Sequence, residues 1–90
     1  MNKQKNSPIH IYTNLGNIKK VKELLEKGEN PNTIGKGNYT PLEIACYKGF
    51  TEIVELLLQY NATLHKENAL KLAKEYQYKE IIDLLENSLS

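Results

Sequence analysis

Apolar residues along this chain return at steps of one, three and four, which is the spacing of a helix face. Between Thr51 and Tyr60 the pattern is clearest: Ile53, Val54, Leu57 and Leu58 fall on one face, with polar residues opposite. Ahead of that stretch lies a second pattern. Thr40 is a good N-cap and Pro41 takes the first helical position, where its missing N–H costs nothing. Glu43 stands three residues after Thr40, so Thr-x-x-Glu predicts a capping box. Leu42 and Ala45, with Ile44 beside them, face inward, and Gly49 ends the first helix. Asn61 closes the second helix, because Asn adopts the left-handed conformation more readily than other residues after Gly. Two short antiparallel helices are the predicted unit.

The unit repeats. Shifted by 33 residues, Pro8 falls on Pro41, Ile9 on Leu42, Ile11 on Ile44, Gly16 on Gly49, Val21 on Val54, and Leu24-Leu25 on Leu57-Leu58. Shifted by 28, Leu42 falls on Leu70, Ile44 on Leu72, Ala45 on Ala73, and Ile53-Val54 on Ile81-Ile82. Ser7 then caps the first unit, Gly16 breaks it, Ile18, Val21, Leu24 and Leu25 pack, and Gly28 closes its second helix. Asn68 is the expected cap of the third unit, followed by Leu70, Leu72, Ala73, Ile81, Ile82, Leu84 and Leu85. A period in this range predicts a solenoid in which each unit buries its face on the next. The units span about 7–39, 40–66 and 67–87, preceded by a flexible segment, 1–6. Between the first two lies Glu29–Tyr39, rich in Gly and Asn, which predicts an extended loop or hairpin. The third unit lacks room for such an excursion.

The stretch "TPLEIACYKGFTEIVELLLQYNA", residues 40–62, resembles the ankyrin-repeat pattern T-P-L-H-x-A followed by a glycine break and a doubled leucine. "SPIHIYTNLGNIKKVKELLEKGENPN" resembles it too, and "NALKLAKEYQYKEIIDLLE" is similar to a degenerate terminal repeat. The resemblance covers roughly Ser7 to Leu85 and implies an all-α ankyrin-repeat solenoid of helix-turn-helix units with one β-hairpin-like finger loop. Departures are Glu43 in place of His, Tyr12 in place of a small Ala, Asn61 in place of Gly, and Gln77 at the glycine break of the third unit.

Composition changes this picture little. Ninety residues make one small domain with a modest core. The net charge of +1 gives no general pull toward nucleic acid or membrane, although residues 1–39 carry +4 and residues 40–90 carry −3. All twelve basic residues are lysine. One cysteine, Cys46, excludes an internal disulfide. No apolar run approaches a membrane span, and "MNKQKNS" lacks the apolar region of a secretory signal, so a cytoplasmic location is expected.

Candidate chemistry is sparse. His10 and His65 are the neutral-pH bases, but neither is paired with a nucleophile by sequence logic, and His10 fits a structural hydrogen bond. Cys46 and two distant histidines do not make a zinc set, so no metal and no cofactor is expected. Glu43, Glu52 and Glu55 read as caps and surface charges. "IGKGN", 34–38, lacks phosphate-loop spacing, and the lysines of "NIKKVKELLEK" alternate with acids, so neither a small-molecule substrate nor nucleic acid is expected. No enzymatic role follows.

The resemblance implies a protein partner bound on the concave face by the finger and the first helices. The positions it assigns are Ile34, Lys36, Gly37 and Tyr39 on the finger, Asn14 and Leu15, Tyr47 and Lys48, and Glu75 and Tyr76 on the first helices. Tyr39, Tyr47 and Tyr76 offer large contact area at low entropic cost, with Leu15 and Ile34 as an apolar centre inside a lysine rim. An immunity or inhibitor protein that masks a toxin or enzyme is a narrower version. Weak homo-oligomerisation through Phe50, Tyr12 and the last helix is the alternative.

Overall fold

The computed structural model describes residues 6–88, and in it the helix periodicity becomes six α-helices. These are α1 (Pro8–Leu15), α2 (Ile18–Glu26), α3 (Pro41–Lys48), α4 (Thr51–Gln59), α5 (Lys66–Glu75) and α6 (Lys79–Asn87), with one 3₁₀ turn at Lys36–Asn38. They stand in two layers. The first helices pack in the order α1, α3, α5, and the second helices in the order α2, α4, α6. The core lies between the layers and holds Ile9, Val21, Leu25, Leu42, Ala45, Ile53, Val54, Leu57, Ala73, Ile81 and Leu85.

Local chemistry starts each helix. Thr40 accepts from the Glu43 N–H at 3.2 Å, and the Glu43 carboxylate accepts from the Thr40 N–H at 2.9 Å, which is the predicted capping box. The first unit closes the same box with a histidine: His10 Nδ1 accepts from the Ser7 N–H at 3.3 Å. Gly16 and Gly49 end α1 and α3 with φ of 75° and 76°. A Cβ at Gly49 would lie 2.8 Å from the Tyr78 ring, and one at Gly16 would lie 3.1 Å from the Phe50 ring. Each glycine thus seats an aromatic ring from the following unit. Asn61 takes φ 65° after α4, as its residue type predicts. Gln77 takes φ 60° at the equivalent place after α5, without being glycine.

Four expectations need correction. Asn68 does not cap α5. The helix begins earlier, at Lys66, with His65 as N-cap at φ 60°, so Asn68 stands inside the first turn, where its side-chain NH2 donates to Glu43. Ile18, at the first position of α2, is 36% exposed, whereas Val21 and Leu25 on the same stripe are buried. Leu56, which the stripe omits, is buried, because α4 has a helix on either side in its layer. The finger between α2 and α3 contains no strand among the described residues. It is closed by the Gly35 N–H to the Tyr39 carbonyl at 2.9 Å, a single turn in place of a ladder. The expected flexible start falls mostly on residues 1–5, outside the described residues. Asn6 is described, and its Oδ1 accepts from the Lys36 N–H at 2.9 Å.

Candidate functional face

The finger is held against α1 by His10. Its Nε2–H donates to the Tyr39 carbonyl at 3.0 Å, while Nδ1 faces the Ser7 hydroxyl at 2.9 Å. Both ring nitrogens are therefore occupied in one neutral tautomer. Burial pulls the imidazole below its ordinary value, against the hydrogen bonds to Tyr39 and Thr33. Gly35 lets the finger approach this closely, since a Cβ there would stand 2.5 Å from Asn6 Oδ1 and 2.8 Å from His10 Nε2. The structural reading of His10 is what its contacts show.

The repeat register sets Ile11, Ile44 and Leu72 at equivalent positions on α1, α3 and α5. One turn on come Asn14, Tyr47 and Glu75, followed by Leu15, Lys48 and Tyr76. A groove of about 410 Å³ runs between Asn14, Tyr39, Glu43, Ile44, Tyr47 and Leu72. Tyr39 is 47% exposed, Tyr47 52% and Tyr76 47%. The Tyr47 and Tyr76 rings meet edge to face at 5.6 Å, and Tyr76 stacks on Tyr78 at 5.7 Å.

Of the positions expected from sequence, Asn14, Tyr39 and Tyr47 come together at the groove, and Tyr76 touches Tyr47. Leu15 is exposed on α1 without lining it. Lys36, Gly37, Lys48 and Glu75 are exposed nearby in the chain but outside it. Ile34 was expected beside Leu15 as an exposed apolar centre. It is half-buried, since the finger turns it toward the body of the molecule. Phe50 and Tyr12, expected as pairing edges, are likewise half-buried and pack against the core.

Sequence reading missed Ile44 and Leu72 as groove residues, although the 28-residue shift aligns them. It also missed the surroundings of Glu43. This carboxylate is 3% exposed. Oε1 accepts from His65 Nδ1–H at 2.9 Å as well as from Thr40, and Oε2 accepts from the Asn68 amide. Burial alone would raise its pKa. The Asn68 amide, then His65 and Thr40, outweigh burial and hold it below the ordinary carboxylate range. The Cys46 thiol, one helical turn on and fully buried, is pushed up to about 12 by burial first and by Glu43 second. It is therefore a packing residue and not a reactive thiolate at neutral pH. Among the described residues, no three His, Cys, Asp or Glu side chains converge to hold a metal ion.

Comparison with known proteins decides the family. The family profile described as "Ankyrin repeats (3 copies)" matches residues 9–88. The chain belongs to the ankyrin-repeat family. An ankyrin repeat protein of Rickettsia bellii is 43% identical over 75 residues, covering 77% of this chain and 30% of the relative. One from Acanthamoeba polyphaga mimivirus is 31% identical over 72 residues, or 71% of this chain and 7% of the relative. The E3 ubiquitin-protein ligase MIB2 of Gallus gallus is 40% identical over 57 residues, or 61% of this chain and 6% of the ligase. The chain thus spans under a third of the length of the curated relatives it matches. The all-α repeat fold expected from the sequence is the observed one. Ankyrin repeats serve generally as protein–protein interaction modules, and the family is typically non-enzymatic. No helix among the described residues is long and apolar enough to cross a membrane.

Proposed function

We propose that this ankyrin-repeat chain binds a partner protein through the face formed by its finger and first helices. The observation that carries the reading is the set of half-exposed tyrosines, Tyr39, Tyr47 and Tyr76, gathered on one side around an apolar groove. Tyrosines in ring contact are already restricted, so a partner that covers them loses little further entropy. Leu15 extends the apolar area, and Lys36 and Lys48 supply charged rim positions. A standard interface of about 800 Å² a side would cover this face. The mechanism is occupancy: the module recruits or inhibits according to which surface of the partner it covers. Masking of a toxin or enzyme is one form of the same mechanism.

The test is capture of partners from source-cell extract by the intact chain beside a Tyr39→Ala/Tyr47→Glu variant with unchanged folding. A protein held by the intact chain and lost by the variant supports the reading. A protein held equally by both moves the interface elsewhere. Light scattering across a concentration series, run on both chains, would expose self-association through the same tyrosines.

A further inference from the structure

We propose that the α5–α6 pair is a detachable end of the array, which opens as one unit while α1–α4 stay folded. Its turns carry backbone strain. His65 at the N-cap of α5 and Gln77 between α5 and α6 both take φ 60°. In the two preceding pairs the turn equivalent to Gln77 is made by Gly16 and Gly49. A left-handed backbone is nearly free for glycine and costly for Gln or His. Detachment lets both residues leave that conformation.

Packing does not offset the strain. α5 fully buries two alanines, Ala69 and Ala73, with Leu70 and Leu72 half-buried, whereas α1 at the other end buries Ile9, His10 and Thr13. An alanine removes less apolar surface from water than an isoleucine. α1 and α3 begin with capping boxes, and α5 has no side-chain cap. The first pair is also pinned by the finger, through Asn6 to the Lys36 N–H and His10 to the Tyr39 carbonyl. The bonds that hold α5 shut run from His65 and Asn68 to Glu43, and from the Thr63 and Leu64 N–H groups to Asn32 Oδ1. Water takes over these groups once the pair has moved away, so each bond opposes opening only by its small net worth. Units of an array couple to their neighbours alone, so an end can open without the middle. α5 carries Leu72 and Tyr76, and detachment therefore removes one wall of the candidate face. On the reading that this face meets a protein partner, a partner seated across Tyr47 and Tyr76 holds the pair closed.

The test is amide hydrogen exchange of the whole chain, followed by NMR at low urea concentrations. Protection factors of the interior amides of α5 and α6 should lie at least about tenfold below those of α3 and α4. They should share one urea slope, smaller than that of α3 and α4, because less surface is exposed. Gln77→Gly should slow exchange in α5 and α6 about fivefold. Gly28→Ala strains the other end of the chain. It should speed exchange in α2 about fivefold and leave α5 and α6 unchanged. Equal protection and equal slope in α3–α4 and α5–α6 would overturn the proposal. So would faster exchange in α1–α2 than in α5–α6, or an α5–α6 rate that rises with Gly28→Ala. The measurement needs no partner, so its failure leaves the partner-binding reading to the tyrosine variants.

Discussion

His65 Nδ1 lies 2.9 Å from Glu43 Oε1, a bond between two successive first helices, α3 and α5. The two residues are 22 positions apart, one at the third position of α3 and the other at the N-cap of α5. The same oxygen also accepts from the Thr40 N–H. A single buried carboxylate therefore completes the cap of its own helix and ties the start of the next first helix to it. The Asn68 amide adds a second tie through Oε2.

Removing this carboxylate should cost more than a cap alone. Glu43→Ala leaves the Asn68 and His65 donors without their acceptor and opens the capping box. A loss of about 3 kcal/mol is expected, against about 1 kcal/mol for Glu43→Gln. For a domain of this size that corresponds to roughly 15 °C and 5 °C in Tm, measurable by circular dichroism.

Acid should destabilise the fold in two stages. The His10 imidazole is depressed below its ordinary 6.5 by burial, so the unfolded chain takes up that proton more readily than the folded one. The Glu43 carboxyl is depressed below its ordinary 4.5 by its hydrogen bonds, with the same sign. Both contributions are complete above the unfolded values and are lost as pH falls through the folded ones. The urea midpoint should be level above about pH 7, fall below 6.5, and fall again below 4.5. A His10→Gln variant should lack the first fall while being less stable throughout.

Two glycines with left-handed backbones should respond differently to alanine. Gly28 has φ 97° with nothing within 4 Å of a built Cβ. Its substitution costs backbone strain alone, about 1 kcal/mol. Gly49 has φ 76° with the Tyr78 ring 2.8 Å from a built Cβ. Gly49→Ala should cost about 3 kcal/mol, and Tyr78→Ala in that background should cost less than it does alone. Chemical denaturation of the three variants and the double variant checks both statements.

Thr13 is fully buried on α1, and among the described residues its hydroxyl has no hydrogen-bond partner. Thr13→Val should raise stability by about 1 kcal/mol, since an unsatisfied hydroxyl is removed and the β-branched shape is kept. A urea midpoint that falls instead would show that the hydroxyl has a partner in solution.

What the sequence made legible was local. Caps at Ser7 and Thr40, the glycine breaks and the doubled leucines act within four residues of themselves, so one linear pattern carries both residue and consequence. The left-handed turn at Asn61 was readable for the same reason. The partners of Glu43 were not, because His65 and Asn68 reach it only after a shortened connector folds back. The start of α5 was misplaced as well: Asn68 looks like a cap in sequence, but the helix already starts at Lys66 and places it in the first turn. On the candidate face, the tyrosines were legible from repeat register, whereas the burial of Ile34 depends on how the finger turns.

Gly16 seats Phe50 and Gly49 seats Tyr78, so each unit is keyed to the next by a ring laid on bare backbone. Gln77 occupies the third such position with the same left-handed backbone but with a side chain attached. That gives the stack a direction. A unit grafted behind α6 would bring its aromatic to a place already filled, so Gln77→Gly is the first change that lengthening this array would require.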